Sequence, residues 1–186
     1  MATGRGEILM MSIVYLFWMY VILFAVIGAL RGWAKELMVS FAVIVALTLN
    51  LLLRNYVGLV YKLPANSSEL FWVRSLIVVG LVFFGYQTVI SIPHLASRAA
   101  RERLQDALFG AFLGAINGYL IAGTLLYYIH QAGYPYPNII APPQPNTPLA
   151  LSIENMMHYM PPEIFGVPLI YFVVILAFVF VLVVYI

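Results

Sequence analysis

Five stretches of this chain, residues 8–30, 37–53, 75–92, 108–129 and 167–186, run without a single charged residue, and that pattern limits the available folds more than any motif does. A hydrocarbon core about 30 Å thick is crossed by roughly 20 apolar residues at a helical rise of about 1.5 Å each. The second stretch is the shortest, and its flanks Lys35, Glu36 and Arg54 are expected to extend it by snorkelling. The first is too long for a cleavable signal, and Glu7 spoils the positive flank that a signal needs, so it reads as a retained helix. The fifth is almost purely Val, Ile, Leu and Phe and is expected to face lipid on most sides.

The stretches are apolar all round, whereas barrel strands alternate apolar and polar residues. An α-helix also satisfies its backbone within one segment, as hydrocarbon requires. The expected fold is therefore an all-α membrane protein, a polytopic transmembrane helix bundle with four core helices plus an added fifth C-terminal helix. It divides into a membrane core (1–129), a Pro-rich extramembrane arm with a short amphipathic helix (130–166) and the fifth transmembrane helix (167–186). Composition agrees: 64% of residues are apolar and 9% charged, against about 25% charged in soluble domains. The net charge of +2 gives no reason to expect nucleic acid as a partner. The chain has no Cys, which excludes disulfides, thiolate metal sites and cysteine nucleophiles.

Orientation follows from Lys and Arg near the span ends. One set of loops carries Arg31, Lys35, Arg98, Arg101 and Arg103; the other carries Arg5, Arg54, Lys62 and Arg74. The long segment 130–166 has neither Lys nor Arg, which suits a translocated segment and places the N-terminus outside and the C-terminus in the cytoplasm. Within it, Pro135, Pro137, Pro142, Pro143, Pro145 and Pro148 predict an extended, polyproline-like arm. Thr147 then offers an N-cap with Pro148 at the first helical position, and Leu149, Ile153, Met156 and Met160 recur on one face. This short helix either lies on the membrane surface, covering helix ends, or packs against the bundle; Pro161 and Pro162 stop it.

Gly110, Gly114 and Gly118 are spaced by four and put three glycines on one stripe of the fourth span. Such a stripe lets another backbone approach closely, which is how helices associate where lipid offers no hydrophobic drive. The partner is either a helix of the same chain or one of a neighbour, so association with itself or with other membrane subunits is one reading. Asn117 lies beside the stripe and needs a hydrogen-bond partner if buried. Gly28 and Gly32 repeat the spacing at the first loop, where Arg31, Trp33, Lys35 and Glu36 are expected at the membrane surface, either as an orientation anchor or as a ligand or partner contact. In the third loop, Arg98, Glu102 and Asp106 are spaced by four, which would set opposite charges side by side on a helical turn. With Arg101 and Arg103 they form either a basic cuff on anionic lipid or an ordinary connector.

The run Gly28 to Leu37, leading straight from one apolar span into the next, resembles the start of the colicin V production protein (CvpA-like) family, and the stripe from Leu108 through Gly118 is similar to that family's later signature. The likeness covers residues 8–128; the arm and the fifth span lie beyond it. The resemblance implies a bacterial inner-membrane protein of about four spans, tied to colicin V export or toxin production and to envelope maintenance, with no established catalytic activity.

Other classes stay in view. Read with charges as boundaries, no span holds an ionisable residue in its interior, which gives little for a proton relay. His94, His130 and His158 sit at span ends or in a loop, so no cofactor or metal is expected, and no nucleophile–base set points to an enzyme. An accessory structural subunit of a respiratory or photosynthetic complex, held by the arm and the fifth helix, is one alternative, and a small channel or exporter component another.

Overall fold

The computed structural model describes residues 3–87, 100–137, 140 and 142–185, and every regular element among them is helical. In chain order these are α1 (Thr3–Arg31), α2 (Trp33–Tyr56), the single turn α3 (Gly58–Tyr61), α4 (Ser68–Gln87), α5 (Ala100–Gln131), α6 (Pro148–Met157), the turn α7 (Pro161–Ile164) and α8 (Leu169–Tyr185). Four of them, α1, α2, α4 and α5, are long and apolar enough to cross a membrane, and the chain is an all-α membrane protein. The C-terminal α8 is apolar but shorter, at 17 residues.

Several boundaries differ from expectation because charge was read as the end of a span; α2, for one, takes in Lys35, Glu36 and Arg54. α4 begins at Ser68 rather than at residue 75, so Arg74 stands on its second turn instead of in a loop. α5 begins at Ala100, so Glu102, Arg103 and Asp106 belong to a membrane helix rather than to a connector. The expected end of the third span at Pro93, together with His94 and Arg98, lies outside the described residues.

α5 is the central element, packed against α1 along one side and against α2 and α4 along the other, while α8 lies on α2. Val39, Val43, Ala46 and Leu47 of α2, Val78 and Val82 of α4, Leu120, Ile121 and Tyr128 of α5 and Ile170 of α8 form one buried core. Outside it the helices are apolar to the surface: Trp18, Ile22, Phe83, Phe84, Phe112, Phe172 and Val183 are all exposed. In water that arrangement would be an aggregation hazard; in a bilayer it is the solvent-facing side.

The bundle has two distinct ends. At the hairpin end, Gly32 alone separates α1 from α2. At the arm end, Thr147 caps α6 by accepting a hydrogen bond from the Ala150 amide at 3.2 Å. Ile153, Met157 and Met160 then bury against Ile13, Phe17 and Leu126, so α6 packs on the bundle rather than lying free on a membrane surface. Its buried face is Ile153 and Met157; Leu149 and Met156 are only half-buried. Pro161 opens α7 and is itself buried, against Gly123. The start of the arm also folds back. Gly133 and Tyr134 both have positive φ, the Tyr134 amide donates to the Ile129 carbonyl, and the Tyr134 hydroxyl sits 3.1 Å from His130 Nδ1. Burial pushes that phenol up to about 12, so it stays neutral over the ordinary pH range.

Candidate functional site

The close approach of α1 and α5 sets everything at the hairpin end. A Cβ placed on Gly28 would lie 2.8 Å from the Gly114 Cα, and one on Gly118 would lie 2.9 Å from the Val21 Cα. Gly110 meets the Gly28 backbone in the same way. The stripe on α5 is thus filled by α1 of the same chain, backbone against backbone. Gly80, by contrast, has open space around it.

The hairpin turn needs a glycine for two reasons. Gly32 has φ of 84°, a left-handed conformation costly for other residues. A Cβ there would also stand 2.8 Å from the Asp106 carboxylate. That carboxylate accepts a hydrogen bond from the Trp33 amide at 3.2 Å, so α5 supplies the cap that α2 lacks in its own sequence. An acid at a helix N-terminus is favoured by the orphan N–H groups and the helix dipole together. Asp106 stands four residues after Glu102 on α5, as the spacing predicts, and from there also reaches α2.

One turn into α2, Glu36 has no exposed surface at all. Glu36 is therefore enclosed by the bundle, and because α2 begins at Trp33 rather than at residue 37 its helix takes in a charge that was read as a boundary. The Asn117 amide, also fully buried, donates to Glu36 Oε2 at 2.9 Å and to the Glu36 carbonyl at 2.8 Å. The Asn117 oxygen in turn accepts from the Ser40 hydroxyl at 2.6 Å. Arg31 brings its Nε to 3.0 Å from Glu36 Oε1, a close ion pair not aligned as a hydrogen bond. Its terminal nitrogens donate to the Tyr86 carbonyl at 3.3 Å, and its guanidinium lies 4.4 Å from the centre of the Tyr86 ring. A buried carboxylate is tolerated only when paired and hydrogen-bonded, and here α1, α2, α4 and α5 each supply one partner or neighbour.

The other residues singled out in sequence are less engaged. Trp33 and Lys35 are half-buried, and Arg103 is exposed on the first turns of α5, where Arg101 also lies. Arg98 is outside the described residues.

A family model for the colicin V production protein matches residues 13–157. The chain belongs to the colicin V production protein family. That span is well over half of the chain and runs further than the likeness visible in sequence, which stopped at residue 128: it takes in the arm and ends at the last residue of α6. The hairpin glycine, Asp106, Glu36 and Asn117 all fall inside the colicin V production match, whereas α8 lies beyond it. No curated protein and no solved structure matches the chain.

A second polar cluster, at the arm end, was not foreseen. Arg74 of α4 donates to the Gln131 side chain at 2.5 Å and lies 5.2 Å from the Tyr128 ring centre. Asn50 of α2 donates to the Arg74 carbonyl at 3.2 Å and to the Tyr128 hydroxyl at 3.3 Å. The signal was present in Asn50, an amide inside an apolar run, but its partners depend on α4 beginning seven residues earlier than its charge pattern implies.

Proposed function

We propose that this chain is a non-enzymatic inner-membrane protein of the bacterial cell that supports production or export of a colicin V-type toxin and maintenance of the envelope. The family match supports this reading. The observation that carries the non-enzymatic part is how the buried polar groups of the hairpin end are engaged: Glu36, Asn117, Ser40 and Arg31 hold one another and the helices they stand on. Chemistry invested in holding a bundle together suits a membrane scaffold. The orientation we favour puts the arm end outside and the hairpin end, with Arg31, Lys35 and Arg103, in the cytoplasm, since basic residues near short loops stay inside.

The test is complementation in a colicin V-producing bacterium deprived of its own family member. Expression of this chain should restore the zone of killing on a sensitive lawn and resistance to detergent. Full insertion into the membrane fraction with neither phenotype restored would refute the assignment. Recovery of a stoichiometric set of redox subunits in mild detergent would also overturn it, in favour of an accessory subunit.

A further inference from the structure

At the arm end, between α2, α4, α5 and α7, lies a cavity of about 130 Å³ whose wall includes two guanidinium groups, Arg54 and Arg74. Among the described residues neither lies within ion-pair distance of a carboxylate, and each is only half exposed. Arg54 spends one nitrogen on the Leu63 carbonyl at 3.1 Å, and Arg74 spends one on Gln131. Glu163, next in sequence to the lining Pro162, accepts a hydrogen bond from the Tyr127 hydroxyl at 2.9 Å. Two cations facing one small cavity repel each other, and at the end of a membrane bundle they repel in a medium less polar than water.

Two further atoms, on residues that line the cavity, lack partners. Arg74 Nε is buried with no acceptor, and Asn50 Oδ1, on a residue only 4% exposed, is buried with no donor. The Asn50 orientation is fixed because its nitrogen donates to the Arg74 carbonyl. Orphaned buried polar atoms are costly and call for a ligand that completes them. An oxyanion alone would answer the guanidinium and be repelled by the Asn50 oxygen. A group carrying both a negative phosphate and hydroxyl donors answers both.

We propose that this cavity is a binding site for a hydroxyl-bearing phosphate ester, held through its phosphate by Arg54 and Arg74 and through a hydroxyl by Asn50. The volume fits. At about 130 Å³ it has room for a phosphate with a small hydroxyl-bearing group. Its depth fits as well: Arg54 lies two residues from the last residue of α2, and Gln131 ends α5. The site therefore sits at headgroup level, with the apolar Leu47, Leu51 and Phe165 alongside for the first carbons of a lipid tail. The shared chemistry is found in the phosphatidylglycerol headgroup and, without a tail, in free glycerol phosphate.

The experiment measures binding to the full chain in delipidated detergent micelles by native mass spectrometry and by titration. The probes are phosphatidylglycerol, phosphatidylcholine, glycerol 3-phosphate and inorganic phosphate. Phosphatidylglycerol should bind about tenfold tighter than phosphatidylcholine, whose phosphate is the same but whose choline brings a positive charge towards the two guanidiniums and offers no hydroxyl donor. R54Q should abolish that preference, and K62Q, an exposed positive charge at the same end, should leave it intact. Glycerol 3-phosphate competing at equal strength would assign the site to the soluble anion, and lipid binding alone would assign it to the headgroup; either outcome upholds it. Equal affinity for both lipids with no effect of inorganic phosphate would overturn it, as would equal losses in R54Q and K62Q. R74Q also removes a helix contact; should it fail to fold, R54Q and the competition decide the matter.

Discussion

Glu36 is where a single side chain decides the most. Asn117→Leu strips donors from both its carboxylate and its carbonyl while Arg31 remains. An interhelical hydrogen bond in a bilayer averages about 0.6 kcal/mol, whereas robbing a buried charge of its partner costs about 3 kcal/mol or more. The expected loss lies between, about 1–3 kcal/mol, and Ser40→Ala, which removes one hydroxyl, should cost less than half of that. Thermal unfolding in detergent measures both; equal losses would mean that the amide is dispensable to the carboxylate. Nothing local announces this arrangement. A charge beside an apolar run reads as the edge of a span, and the partner that buries Glu36 stands 81 positions away. Asn117 itself was legible as a residue needing a partner, because an amide in hydrocarbon always does.

At the level of helices, the approach of α1 to α5 rests on glycines that have backbone for neighbours. Gly114→Leu cannot be relieved by moving a side chain, since the Phe24 and Gly28 backbones fill the space, and should cost at least about 3 kcal/mol. Gly80→Leu, with open space around it, should stay within about 1 kcal/mol of the parent and gain helix propensity. The yield of monodisperse protein after heating separates the two, and equal tolerance would remove the packing argument. The stripe of Gly110, Gly114 and Gly118 was readable because a spacing of four stacks residues on one helix face. Its partner was not, since spacing says nothing about which helix answers it. Gly123 lies off the stripe and serves a different contact, with Met160 and Pro161, that no periodicity would reveal.

For the whole molecule, alternation of the long helices puts Lys62 and Arg103 at opposite ends. The absence of Cys makes this simple to test. In intact cells an impermeant maleimide should label Lys62→Cys, whereas Arg103→Cys should require permeabilised membranes. Labelling of both from the same side would contradict helices that cross. The four long helices and their order were legible because a bilayer leaves the chain few choices. Their exact ends were not, because Arg74 and Glu36 have partners that let charged residues enter the helix interior.

The cap on α2 comes from Asp106, and Asp106 is translated long after α2 has left the ribosome. Until α5 emerges, the first hairpin lacks both the Asp106 cap on its starting amides and the Asn117 amide that later secures Glu36. Biogenesis thus carries a built-in waiting step, and a nascent chain stalled before α5 should remain open to membrane proteases or chaperones that the finished bundle excludes.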